Sequence, residues 1–138
     1  MCSSDLAIPW SGGKALMATG IPVDPVTYEG TTHTIGQANN ALLYPGLGLG
    51  TVVARAGRIT DGMLLAAAKA VADQTDVSEP GASLLPPVRN LRASSAAVAV
   101  AVAAAAIQEG VATTEPDNLV QAVQDAMWQP TYGPPVTR

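Results

Sequence analysis

The chain has 138 residues, of which 48% are hydrophobic, and its formal net charge is −4. This length is typical of a single domain, and the acidic balance argues against partners that need a basic surface, such as nucleic acid or anionic membrane. Cys2 and His33 are the only cysteine and histidine, which excludes an internal disulfide and a zinc site of clustered Cys and His ligands.

The first six residues, MCSSDL, resemble a translated sequencing-adapter tail. We therefore interpret residues 1–6 as a non-native scar or a disordered N-terminus, with the gene continuing upstream, and leave them out of the fold. Residues 7–13 contain a proline and a glycine pair and predict a turn. The longest apolar run, Ala96 to Ile107, is shorter than the roughly 18 residues of a membrane span, and no secretory signal is visible. We expect a cytoplasmic protein.

The next segments predict a buried strand and a hairpin. KALMAT, residues 14–19, is a short apolar run that ends at Gly20 and suits a strand. Residues 26–35 alternate threonine with larger side chains around Glu29-Gly30, which predicts a hairpin with a tight turn at the glycine. His33 lies in this hairpin, where we expect a half-exposed strand residue without a catalytic role.

The sequence IGQANNALLYPGLGLG, residues 35–50, contains two adjacent amides. Asn39 or Asn40 is suited to cap a helix, which we predict from about residue 40 to residue 56, ended by Gly57. Anion binding by the same amides is a second possibility, because helix N-termini favour negative charge. Three glycines in this helix each lower helix propensity by roughly 1 kcal/mol relative to alanine, which predicts close packing against another element.

Three more helices are predicted, at about residues 61–74, 88–109 and 117–127. Thr60 or Asp61 caps the first, and Gly110 ends the second. AVAVAV within the second helix alternates like a strand, but its length and alanine content favour a helix. Trp128 and Tyr132 are expected to anchor the proline-rich tail.

Catalytic motifs are absent from the sequence. G-x-S-x-G, H-E-x-x-H and a Cys–His pair do not occur, and the glycines of PGLGLG do not have the spacing or context of a dinucleotide-binding loop. We therefore predict no catalytic residue and no metal ligand in this chain.

Five segments nevertheless occur in an order that resembles the C-terminal part of the malic enzyme family, in its bacterial-like form. They are KALMATGIPVDPV, TIGQANNALLYPGLGLG, RITDGMLLAAAKAVA, LLPPVRNLR and AMWQPTY. The resemblance runs from about Ile8 to Arg138. It implies an α/β fold in which residues 7–138 are the C-terminal fragment of a Rossmann-type NAD(P)-binding domain, mostly helical, with one or two short strands and a small hairpin.

The resemblance also implies a function. Enzymes of this family oxidatively decarboxylate (S)-malate to pyruvate and CO2 with NAD or NADP and a Mg or Mn ion. By this resemblance Asn39 and Asn40 bind the substrate, while Gly20, Ile21 and Asn40 lie at the cofactor. The family usually has serine in place of Ile21, which puts cofactor contact at that position in doubt.

The family's tyrosine acid, lysine base, metal-binding carboxylates and glycine-rich loop have no counterpart in this chain. The resemblance therefore implies a fragment that is inactive alone and a full-length protein that is a homo-oligomer with malate as its small-molecule partner. Two alternatives stay open, a fragment of a malolactic enzyme and a helical interaction module without chemistry of its own.

Overall fold

The computed structural model describes residues 3–129, which form five α-helices, four short strands and two 3₁₀ turns. The helices are α1 (Ser3–Trp10), α2 (Tyr44–Val53), α3 (Asp61–Ala72), α4 (Leu91–Gln108) and α5 (Leu119–Ala126). The strands are β1 (Ala18–Thr19), β2 (Val26–Tyr28), β3 (Thr31–His33) and β4 (Gly36–Gln37), and the 3₁₀ turns are Asn40–Leu42 and Val88–Asn90. The predicted mixture of many helices with a few short strands is confirmed.

The strands form two separate pairs. β1 lies parallel to β4, with Thr19 opposite Gln37 in the register. β1 is shorter than the predicted strand over residues 14–19, and the sequence did not predict β4. β2 and β3 form the predicted antiparallel hairpin. Its turn residues Glu29 and Gly30 have φ values of 47° and 79°, which is the left-handed pair typical of a type I′ turn.

Helix α4 is the centre of the helical layer. α2, α3 and α5 all pack against it, and its buried positions are Ser94, Ser95, Val98, Ala99, Val102, Ala103 and Ala106. With the 3₁₀ turn before it, this helix is long and apolar enough to cross a membrane by those two criteria alone. The central helix of a packed bundle also meets these two criteria. Since α2, α3 and α5 pack against α4, its length and apolar composition are accounted for by its central position.

The predicted close packing of the glycine-containing helix is confirmed at two of its three glycines. A Cβ atom on Gly46 would lie 2.5 Å from Val98 Cβ, and one on Gly50 would lie 2.5 Å from the Ala99 carbonyl oxygen. A Cβ on Gly48 would meet no atom within 4 Å. Gly46 and Gly50 therefore allow α2 and α4 to approach backbone to backbone, whereas Gly48 lies on the opposite, open side.

The predicted helix over residues 40–56 is divided and ends early. Pro45 has no N–H to donate to the residue four positions before it, so a continuous helix cannot pass this point. The chain instead forms the 3₁₀ turn Asn40–Leu42 and then α2. Arg55, with φ of 45°, ends α2 in place of Gly57, and the N–H of Ala56 donates to the Thr51 carbonyl at 3.0 Å, a Schellman-type closure.

Three smaller predictions also need correction. Ser3–Trp10 is helical, so the predicted turn of residues 7–13 is confined to its second half. His33 is buried rather than half-exposed, because the hairpin folds it against Gly13. The Trp128 side chain is 69% exposed and is not an anchor, and Tyr132 lies outside the described residues.

The cap of α3 gives a first test of local stability. Thr60 Oγ1 accepts a hydrogen bond from the Met63 N–H at 3.2 Å. Thr60→Ala is expected to lower the free energy of unfolding by about 1 kcal/mol, because this N–H then loses its partner. Thr60→Ser keeps the acceptor and is the matched control. Equal stability of the two variants in urea unfolding would show that the cap contributes nothing.

Candidate functional site

Two adjacent strand ends bring the predicted site residues to one edge of the small parallel sheet. β1 leads into Gly20 and Ile21, and β4 leads through Ala38 into Asn39 and Asn40. The N–H of Ala38 donates to the Thr19 carbonyl at 2.8 Å, so the two chain segments are hydrogen-bonded at the point where both leave the sheet. In open α/β sheets, ligands bind outside the carboxyl ends of parallel strands.

The first segment, Gly20-Ile21, is open to solvent. Ile21 is 69% exposed, and a Cβ atom on Gly20 would meet nothing within 4 Å. Neither the packing nor the backbone conformation of this chain therefore requires a glycine at position 20. A glycine that neither packing nor backbone conformation requires is typical of a position where a ligand comes close to the backbone.

The second segment presents the two amides differently. Asn39 is half-buried, and its Oδ1 accepts a hydrogen bond from the Ala41 N–H at 2.9 Å, which confirms the predicted cap. The element that Asn39 caps is only the short 3₁₀ turn, because α2 begins later in the chain. The positive electrostatic potential predicted at this pair of amides is therefore weaker than at the N-terminus of a full α-helix. Asn40 is exposed. Because the side-chain oxygen of Asn39 accepts the capping hydrogen bond, the NH2 group of Asn39 is left free to donate to a ligand.

Both asparagines line a cavity of about 370 Å³. Its other lining residues are Ala38, Leu42, Leu43, Tyr44, Ala68, Val71 and Leu85. None of these side chains is charged, and the polar side chains in the lining are the two carboxamides and the Tyr44 phenol. Gly20 and Ile21 do not line this cavity, although their segment is bonded to its edge. Neutral N–H donors can hold a carboxylate but cannot balance its charge.

Acid–base and metal chemistry find no support in the described residues. Over residues 3–129, no group of three or more His, Cys, Asp or Glu side chains could hold a metal ion. The negative charge of neighbouring Glu29 raises the pKa of Tyr28, and a hydrogen bond from Ser78 lowers the pKa of Asp76. Both groups lie outside the cavity, so neither is placed to transfer a proton there.

Sequence reasoning missed the partner strand and the residue that joins the two segments. β4 is only two residues long and contains a glycine, which gives no periodic signal. Thr19 looked like the last residue of an apolar strand. Its carbonyl contact with Ala38 depends on the parallel pairing, which no local pattern indicates.

Comparison with known proteins shows which family has a similar sequence. The family model described as "Malic enzyme, NAD binding domain" matches residues 1–107. The chain is 58% identical over 127 residues to NAD-dependent malic enzyme 3 of Bacillus subtilis, covering 92% of the chain and 22% of that protein. It is 46% identical over 125 residues to the malolactic enzyme of Leuconostoc mesenteroides, covering 91% of the chain and 23% of that protein.

A solved structure has the same architecture. The crystal structure of malic enzyme from Pyrococcus horikoshii superposes with a TM-score of 0.64 at 35% sequence identity. The match covers 80% of this chain and 23% of that one. In each of these comparisons the chain corresponds to less than a quarter of the relative's length.

Proposed function

Because the chain belongs to the malic enzyme family, we propose that it is the part of a malate-oxidising enzyme that presents the strand-end segments to substrate and nicotinamide. The observation that carries this proposal is the parallel pairing of β1 and β4. It brings a ligand-accessible glycine and two carboxamides to the same sheet edge. The reaction proposed for the whole protein is the conversion of (S)-malate to pyruvate and CO2.

The asparagine pair has the binding role. The NH2 groups of Asn39 and Asn40 donate hydrogen bonds to a carboxylate of malate, while the cap on Oδ1 of Asn39 fixes which end of that amide faces the ligand. Hydrogen bonds to a charged group contribute about 1.5 to 3 kcal/mol each. The amides therefore orient the substrate, and its charge is balanced by groups outside this cavity.

The nicotinamide cofactor fits the first segment. An uncrowded Gly20 and an exposed apolar Ile21 suit the face of an aromatic ring, and this cofactor would supply the acceptor for the hydride removed from malate. The described residues do not fit a metal ion, since they contain no ligand cluster. In this proposal a metal ion would be held by other parts of the enzyme.

NAD is the proposed cofactor, and decarboxylating oxidation is favoured over the malolactic reaction. The NAD-dependent Bacillus subtilis enzyme is 58% identical, against 46% for the malolactic enzyme. The interaction-module alternative does not account for identity at this level to enzymes. The interaction-module alternative also gives no reason for the exposed Gly20-Ile21 and asparagine segments at the ends of β1 and β4.

A chimeric enzyme tests the proposal. The matching segment of the Bacillus subtilis enzyme is replaced by residues 7–129 of this chain, and malate-dependent reduction of NAD and of NADP is measured with Mn²⁺ or Mg²⁺ present. We expect turnover within about tenfold of the parent, with NAD preferred, because the two segments share the fold and most residues. The 138-residue chain alone is expected to give no turnover in the same assay.

Two outcomes would contradict the proposal. A chimera that folds and assembles like the parent but does not oxidise malate would show that this segment cannot serve the reaction. Turnover by the purified chain alone would show that it holds reactive groups that the proposal assigns to other parts of the enzyme.

A further inference from the structure

Thr19 makes hydrogen bonds to both segments of the site. Its backbone carbonyl accepts the Ala38 N–H at 2.8 Å, just before the asparagines. Its side-chain Oγ1 donates to the Ile21 carbonyl at 2.9 Å, across the bend by which the chain leaves β1. The first contact belongs to the backbone, and only the second depends on the identity of the side chain.

The bend after β1 has little else to hold it. Ile21 is 69% exposed, and Gly20 is also exposed, with no atom within 4 Å of a Cβ built on it. A glycine in an exposed bend is free to sample many conformations, which an ordered site must restrict. The hydroxyl of Thr19 restricts them by tying its own position to the carbonyl two residues later, as serine and threonine do in turns.

The asparagine segment is held by different bonds. The Asn39 N–H donates to the Gln37 carbonyl at 3.0 Å, and the Asn39 side chain accepts from Ala41. None of these bonds uses the Thr19 hydroxyl. Removing that hydroxyl therefore releases the Gly20-Ile21 bend and leaves the asparagines in place.

We propose that Thr19 is a positioning residue whose hydroxyl holds the Gly20-Ile21 bend in the conformation that receives the nicotinamide end of the cofactor. This inference rests on the proposed function and adds to it a residue that touches neither ligand. It also assigns the two halves of the site to different ligands. The bend serves the cofactor alone, and the asparagines serve malate, with Asn40 also beside the cofactor.

The test uses Thr19→Val, which keeps the side-chain shape and removes the hydroxyl, in the chimera described above. Loss of one neutral hydrogen bond corresponds to about 0.5 to 1.5 kcal/mol, so the KM for NAD is expected to rise about 3- to 10-fold. The KM for malate is expected to stay within about twofold. Thr19→Ser restores the hydroxyl and is expected to restore the KM for NAD.

Thr27→Val is the matched control. Thr27 is an exposed strand threonine whose hydroxyl lies 3.4 Å from that of Thr32, in the hairpin and outside the site. This variant is expected to leave both KM values unchanged. It removes a hydroxyl of the same kind and so measures any general effect of the substitution.

The proposal is overturned by an unchanged KM for NAD in Thr19→Val, by an equal rise in both KM values, or by a serine variant that behaves like valine. If the valine variant does not fold, as judged by its thermal unfolding midpoint, Thr19→Ala is judged by the same criteria. An unmutated chimera without malate oxidation would overturn this inference together with the proposed function. An active chimera with an unaffected Thr19→Val would overturn this inference alone.

Discussion

Gly50→Ala is expected to lower the free energy of unfolding of the chain by about 3 kcal/mol, near the upper end of ordinary overpacking costs. The added methyl group would lie 2.5 Å from the Ala99 carbonyl oxygen and 2.8 Å from Val102 Cβ. Both atoms belong to α4 and cannot move without shifting that helix. The substitution should therefore separate α2 from α4 and weaken the packing of the whole helical layer.

Gly48→Ala is the control in the same helix. Its methyl group would meet nothing within 4 Å, and alanine is favoured over glycine in a helix by about 0.5 to 1 kcal/mol. This variant is therefore expected to be more stable than the unmodified chain. Urea unfolding followed by circular dichroism measures both. Equal effects of the two substitutions would show that α2 and α4 are not in close backbone contact.

Asn40→Ala in the chimera is expected to lower kcat/KM for malate about 10- to 100-fold, the equivalent of one hydrogen bond to a charged carboxylate. Asn40 is exposed and is not the capping residue, so its loss should leave the fold unchanged. The KM for NAD is expected to change less than the KM for malate. Steady-state kinetics with each ligand varied in turn separate the two effects.

Asn39 and Asn90 provide the comparisons for this experiment. Asn39→Ser keeps an oxygen for the Ala41 N–H and removes the NH2 donor, so it should lower malate affinity without loss of stability. Asn90 is an exposed asparagine before α4 whose side chain makes no capping bond, and Asn90→Ala should change neither property. If Asn40→Ala were to behave like Asn90→Ala, the amide pair would have no role in substrate binding.

Local features of the sequence predicted much of the fold. The Glu29-Gly30 turn and the Gly110 helix end each depend on a few neighbouring residues, and both are predicted from the sequence. The same local reasoning limits the two caps to Asn39 or Asn40 and to Thr60 or Asp61, and the structure selects Asn39 and Thr60. Family resemblance added the two halves of the candidate site. The structure brings the asparagines and Gly20-Ile21 to one edge of the β1–β4 sheet.

Features that depend on distant partners were not predictable. The two-residue strand β4 exists because it pairs with β1, and His33 is buried because the hairpin folds against the turn near Gly13. Arg55 ends α2 in a left-handed conformation that glycine normally adopts, supported by a bond from the Thr113 hydroxyl to its carbonyl.

By itself, then, the sequence determined the Glu29-Gly30 turn, most of the helices and the family of this protein, because these depend on residues within about one turn of each other or on ordered motifs. The tertiary structure alone decided which glycines contact α4 and which residue joins the two segments of the site. Both depend on groups far apart in the chain, such as Gly50 and Ala99, or Thr19 and Ala38. Their contacts form only when parallel strands and helices are packed together, which no local pattern encodes.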